Sequence, residues 1–376
     1  SPSQPIQNSQ GTLIYNGSTY NSNANDTQWI VDNLDEKLET TVDLIKNLIG
    51  EYSLTYVTDT HIVFADDQWS TKNLFFYYDQ STKTFLIAST ADFVLHHVPN
   101  AVRVQANRIY TIDKQTFELD FIETTQWNFS QTVNNYDSLF ETFEQAVKDR
   151  HEPGITTYML SAGIDSGAVV CCARKFFNDD MYTITKIGID DPQVLAQRLR
   201  MQKTPLIDRL DDYDFIPATT EMFQRYNFRN VRDHTARALT AILQNHLLPR
   251  KQKICIWGTG GDDIYDDYQP HKKAYGRVGK VIGSWPSDLR TIYPWHNYEN
   301  TRLHNQLHRG DMICGHHGIE ERHPLTDQRV FQKWLNTTSL LKNAGHKHWL
   351  VRYLKEHDYP ISSFKTGFAN RKKLSE

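Results

Sequence analysis

The sequence predicts a chain of two architectures: a β-rich first part built from antiparallel sheets, and an α/β second part with a doubly wound parallel sheet and a helical C-terminal portion. Three observations predict it. Short runs rich in β-branched and aromatic residues, bounded by turn residues, crowd the first half. From about residue 150, apolar strand-like runs alternate with segments of helical spacing. A length of 376 residues also exceeds what a single core ordinarily organises.

In the first half, strands are predicted at 12–21, 52–59, 61–67, 73–79 and 84–90, with a helix near 34–49. In the second half the order is strand 156–161, helix 166–177, strand 181–189, helix 192–202, a short strand near 213–216, a long helix through 233–248 and strand 253–258. From about 320 the pattern is mainly helical. The polar stretch SQTVNNYDS, residues 130–138, is the expected junction, dividing 1–133 from 134–376.

Composition narrows the function classes. Hydrophobic residues at 39% and aromatics at 12% support substantial cores. A net charge of −4 gives no general attraction to nucleic acid, so a nucleic-acid partner is disfavoured. No apolar run approaches the ~20 residues that span a bilayer, and no signal-like start is present. No membrane partner and a cytoplasmic location are therefore expected. Cys171, Cys172, Cys255 and Cys314 fit neither a disulfide framework nor a zinc pattern. The adjacent pair Cys171 and Cys172 sits in an apolar run and reads as small buried hydrophobes. Cys314-Gly315-His316-His317 is the best local cluster of metal-binding residue types, but its spacing matches no usual zinc site.

The chemistry gathers at two turns. Ser161-Ala162-Gly163-Ile164-Asp165-Ser166 joins a predicted strand to a predicted helix. Small residues let backbone amides approach a phosphate, the helix aims its N-terminus at that charge, and Ser161 and Ser166 can donate hydroxyl hydrogen bonds. Asp165 would repel phosphate unless a cation lies between them, which implies Mg²⁺. Gly258-Thr259-Gly260-Gly261, followed by Asp262 and Asp263, ends another predicted strand in the same manner. Two such loops on one sheet could clasp one pyrophosphate, with Asp165 and Asp262 sharing the metal.

These residues resemble the asparagine synthetase family, whose synthetase domain is a PP-loop ATP-pyrophosphatase. Ser161–Ser166 resembles its SGGxDS signature with Ala162 for the first glycine, and 258–263 resembles its SGEGSDE loop. Gly318–Asp327 resembles G-[VI]-E-x-R-x-P-[FL]-x-D, while HKHWLVRYL (346–354) and SSFKTGF (362–368) fall where the family has a KxxLR-type helix and a lysine-bearing loop. The resemblance implies ATP and Mg²⁺ as cofactors. It further implies adenosine near Leu160, Ser161, Ile187 and Gly188, pyrophosphate at Ser161, Ala162, Gly163, Asp165, Ser166, Gly258, Thr259 and Gly260, and Lys365 as the catalytic lysine. Arg232 matches a substrate-carboxylate arginine, and Tyr265, Glu320 and Glu321 are expected near the substrate cleft.

The first half fits the same resemblance, as a truncated Ntn-hydrolase-like glutaminase domain. LIYNGSTYN, with Asn16-Gly17, resembles the NGEIYN strand. Asn25-Asp26-Thr27 resembles its SD element, and DDQWSTKNLFFYY parallels RDxxGxxPLY. Two departures matter. No cysteine precedes Cys171, and Asn16-Gly17 lies close to the start, so the first third of the domain and its glutaminase activity are expected to be lost. Thr259 stands where asparagine synthetases carry a glutamate, and a hydroxyl cannot act as a carboxylate base at neutral pH. The expectation is an AMP-forming amide ligase joining a small-molecule or peptide carboxylate to an amine, in the manner of β-lactam synthetases and lasso-peptide cyclases. Alternatives are amidation with ammonia or a non-catalytic scaffold; a homodimer is left open.

Overall fold

The computed structural model describes residues 4–21, 25–90, 98, 100–178, 181–187, 191–209, 234–265, 285–294 and 302–362. They form two compact units, divided between Trp127 and Asn128. Strands of the first unit are β1 (Ile6–Gln7), β2 (Thr12–Thr19), β3 (Gly50–Val57), β4 (His61–Asp66), β5 (Phe75–Asp79), β6 (Thr84–Ala88), β7 (Val102–Arg103), β8 (Arg108–Asp113) and β9 (Leu119–Glu123). They pair antiparallel in two sheets, ordered β1-β2-β3-β4-β8-β9 and β6-β5-β7.

Alternation along β4 divides the packing. Val63 and Ala65 join Leu13, Tyr52 and Ile109 in one cluster with Ile30 and Val31 of helix Asp26–Asn33 and Ile45 of helix Leu38–Lys46. Ile62 and Phe64 join Phe76 of the smaller sheet and Tyr110 in the other. A strand's period of two thus gives β4 two buried faces. The helix expected over 34–49 is shorter, Leu38–Lys46, and is preceded by a second helix, Asp26–Asn33. Asn25 starts that helix by accepting from the Gln28 amide at 3.1 Å, so the Asn25-Asp26-Thr27 run is a cap in this fold.

The run Asp66–Asn73 is polar, connects β4 to β5 and is nonetheless buried throughout. Asp67 organises it, accepting from the amides of Tyr52, Trp69 and Thr71 and from the Thr71 hydroxyl. Ser70, at the glycine position of RDxxGxxPLY, has φ of 51°, the left-handed region that glycine favours. Burial pushes the Asp67 carboxyl up to about 6, against the lowering effect of the amides. Because the folded value lies above the ordinary 3.8, its contribution to stability is complete below about pH 4 and is lost as pH rises through 6. Denaturant unfolding should therefore show wild-type stability falling between pH 4 and 7 by on the order of 2 kcal/mol from this group. Asp67→Asn should lack that component of the slope.

In the second unit, β10 (Thr156–Leu160), β11 (Tyr182–Ile187), β12 (Pro205–Arg209), β13 (Ile254–Ile256) and β14 (Glu320–Arg322) form an all-parallel sheet ordered β12-β11-β10-β13-β14. The chain winds outward from β10 through β11 to β12, then returns to the other side of β10 for β13 and β14. The winding reverses between β10 and β13. The strand expected near 213–216 lies outside the described residues; the edge strand is β12, in the proline-led run PLIDR. Helix His234–Ile242 continues as a π-helical turn, Leu243–Leu247. Helices Asp137–Asp149 and Arg302–His316 join those expected, and Gln328–Asn336, Ser339–Lys342 and His348–Glu356 complete the C-terminal portion. No helix among the described residues is long and apolar enough to cross a membrane.

Candidate functional site

In an open parallel sheet, ligands bind beyond the carboxyl ends of strands where the winding reverses. Here that position lies between β10 and β13, and the turns leaving those strands are Ser161–Ser166 and Trp257–Asp262. The first turn is braced by its own hydroxyls. Ser161 Oγ and Ser166 Oγ lie 2.6 Å apart, the Ser161 amide donates to Ser166 Oγ, and the Gly163 amide donates to Ser161 Oγ at 3.1 Å. Gly163 precedes helix Ile164–Phe177 without a side-chain cap, so the helix presents its N-terminus with Ser166 and Asp165 in the first turn.

The second turn packs directly on the first through its glycines. A Cβ at Gly258 would lie 2.6 Å from the Ser166 amide nitrogen, and one at Gly261 would lie 2.3 Å from the Asp165 carboxylate. Gly260 has φ of +96°. The second turn thus requires glycine at 258 and 261 for close approach, and at 260 for its backbone angle.

The two acidic residues converge on one cation. Lys347 Nζ contacts Asp165 Oδ1 at 2.6 Å and Oδ2 at 2.5 Å, and it also contacts Asp262 Oδ1. The lysine side chain is 1% exposed, against 17% for Asp165 and 23% for Asp262, so a dry ammonium meets two carboxylates that still reach solvent. Lys347 begins helix His348–Glu356 with φ and ψ both 45°, a left-handed backbone that costs a side-chain-bearing residue about 1–2 kcal/mol. The sequence reading named the segment containing Lys347 but did not assign this lysine; its signal was the KxxLR-like run HKHWLVRYL.

The donor set also suits a hard divalent ion. Mg²⁺ is commonly held by one or two carboxylates, with phosphate oxygens and water completing the shell. Asp165 and Asp262 already meet at one positive charge, so they could serve as those carboxylates. Among the described residues no group of three or more His, Cys, Asp or Glu could hold a metal. All four cysteines are buried, and burial pushes the Cys171 thiol up to about 12.

Of the other expected site residues, Leu160 is buried at the end of β10 and Ile187 ends β11 with 42% of its surface exposed. Ala162 is buried and Thr259 half-buried in the two turns. Tyr265 is placed differently from expectation. Its hydroxyl donates to Leu325 O at 2.7 Å, and its ring meets Trp334 and Trp349 edge-on at 5.4 and 5.1 Å. Burial holds that phenol well above its ordinary range, so it is a neutral core residue. Glu320 is the first residue of β14, paired in register with Ile254 at the end of the sheet opposite the turns, and its carboxylate accepts from Arg322 Nε at 2.7 Å. Glu320 thus stands at the far end of the sheet from the turns, whereas Tyr265 ends the second turn's helix with its side chain directed into the core. Glu321 is buried with His323 Nε2 at 3.5 Å. Arg232, Gly188 and Lys365 lie outside the described residues.

No protein-family model matches the chain, and no curated protein matches it. Solved structures similar to it include the allosteric regulatory enzyme of purine biosynthesis, at 9% identity over 60% of this chain and 70% of that one, with a TM-score of 0.27. Another is glutamine phosphoribosylpyrophosphate amidotransferase from B. subtilis complexed with ADP and GMP, at 12% identity over 68% and 63%, with a TM-score of 0.27. A third is the U34-tRNA thiolase NcsA from Methanococcus maripaludis with its 4Fe–4S cluster, at 9% identity over 62% and 68%, with a TM-score of 0.32. TM-scores of this size carry no weight for the chemistry, which is read from the two turns.

Proposed function

We propose that the chain is an ATP-dependent amide ligase that forms AMP and pyrophosphate, adenylating a small-molecule or peptide carboxylate and passing the acyl group to an amine. One observation supports this above all: two glycine-packed turns at the point where the sheet winding reverses direct Asp165 and Asp262 onto a single cation position beside a helix N-terminus. In this reading the substrate carboxylate oxygen attacks the α-phosphorus as its bond to the pyrophosphate oxygen breaks. The amine nitrogen then attacks the acyl carbon and AMP departs. Magnesium, held by Asp165 and Asp262, would supply neutralising charge to the pyrophosphate. The chain itself contributes the Ser161 and Ser166 hydroxyls, the amides opening helix Ile164–Phe177 and the Lys347 ammonium, all fixed before charge develops. Ile187 offers an apolar surface beside the loop for the base of ATP. Lys365 is assigned to the α-phosphate by its resemblance alone.

ATP–[³²P]pyrophosphate exchange over a panel of carboxylates, with Mg²⁺, tests this reading. One acid should support exchange, and Asp165→Ala and Lys365→Ala should each lower its rate by about 10³-fold or more. Silence across the panel, with no ATP binding by calorimetry, would sink it.

A further inference from the structure

Arg198 lies in helix Pro192–Arg200 and has no exposed surface. Its Nη1 donates to Ser161 O at 2.5 Å and to Gly163 O at 2.8 Å, while Nε and Nη2 both donate to Pro360 O, at 3.0 and 2.7 Å. One guanidinium therefore joins the Ser161–Ser166 turn to the segment that follows the last described helix.

The surroundings are shaped around it. A Cβ at Gly167 would lie 2.5 Å from Arg198 Nη2 and 2.6 Å from Cζ, so only glycine leaves room for the guanidinium beside the helix. The Tyr359 ring centroid is 5.0 Å from Arg198 Cζ and 6.0 Å from Arg174 Cζ. Ser362 Oγ donates at 2.8 Å to Asp191 Oδ2, and Asp191 caps the Arg198 helix by accepting from the Gln193 and Val194 amides. The segment Tyr359–Ser362 is thus held at three successive points to the helix that carries Arg198.

We propose that Arg198 is a positioning residue that fixes the Ser161–Ser166 turn and the Tyr359–Ser362 segment as one body. The inference rests on the phosphate role proposed for that turn. In a trans peptide the N–H points opposite to the C=O. Holding the carbonyls of Ser161 and Gly163 therefore turns the amides of Ala162 and Ile164 away from the guanidinium, the sense in which a phosphate would meet them. A planar fork with donors in several directions suits carbonyls from two separate segments, whereas a lysine ammonium is a point charge. Lys365 follows Ser362 by three positions in the sequence, so the clamp fixes the point from which that stretch departs.

Hydrogen exchange by mass spectrometry on the full chain, with and without MgATP, tests the clamp. Arg198→Met should raise amide exchange about tenfold or more in both 161–166 and 359–362 while leaving helix Asp137–Asp149 unchanged. In wild type, MgATP should protect both segments; in the variant, any protection should stop at 161–166. The KM for ATP should rise about tenfold with kcat changed less than twofold, methylguanidinium should restore it, and Arg198→Lys should not. Gly167→Ala, which displaces the guanidinium while adding a good helix former, should reproduce the effect if Arg198→Met folds poorly. Wild-type exchange rates in either segment of these variants would overturn the clamp. A wild type that ignores ATP, with both segments loosened in the variants, would remove the proposed ligase function and leave the clamp standing.

Discussion

Replacing Lys347 with methionine should abolish pyrophosphate exchange and lower the unfolding free energy by about 3–5 kcal/mol, the usual effect of deleting one member of a buried ion pair. The magnitude follows from exposure. Lys347 is 1% exposed and its two partners less than a quarter, so water solvates the carboxylates left behind only in part. Asp165 and Asp262 would then repel each other across a gap shaped for a cation. Millimolar Mg²⁺ should consequently stabilise the variant more than the wild type, because a ligand that binds only the folded state adds stability by mass action. Urea unfolding of both proteins with and without Mg²⁺ measures both effects. A variant with wild-type stability and retained exchange would show that the ammonium is incidental to the site.

Gly258→Ala should cost about 3 kcal/mol or more and weaken nucleotide binding at least tenfold, with Gly163→Ala nearly neutral in comparison. The contrast lies in what each new methyl group meets. At Gly258 the neighbours are the Ser166 amide nitrogen at 2.6 Å and the Asp165 carbonyl carbon at 2.7 Å, backbone atoms anchored in the first turn of a helix. At Gly163 the nearest neighbour is the Ser161 hydroxyl at 3.1 Å, which can rotate aside. Thermal unfolding and calorimetric titration with MgATP would separate the two. Equal behaviour of the two variants would mean that the loops are not in the contact described here.

Much of this was legible in the sequence, and what was missed follows a physical pattern. β10 and β13 lie in apolar runs bounded by small or polar residues, and β11 lies in the longer β-branched run MYTITKIGI, so their pattern announced them. β8 and β9 were missed because RIYTID and LDFIE are short and half polar, and pairing with β4 and with each other decides their state. Asp165 and Asp262 could be named from their turns, since a short turn fixes its own residues near the strand end. Lys347 and Arg198 could not. Each reaches the loops from a helix far along the chain, and the contacts depend on packing that local spacing does not encode. Tyr265 failed for the converse reason: proximity to the loop in sequence suggested the cleft, but its ring is drawn into the Trp334 and Trp349 core.

The contact between Gly258 and the start of the Ile164–Phe177 helix has a consequence for the order in which the molecule matures. Its two sides are distant in the chain and become neighbours only when β13 docks beside β10, a closure that is slow to nucleate. A partly synthesised chain ending before β13 would carry one half of the cradle and no means of gripping polyphosphate. Nucleotide affinity should therefore appear late and all at once during refolding, making it a reporter of completed sheet assembly.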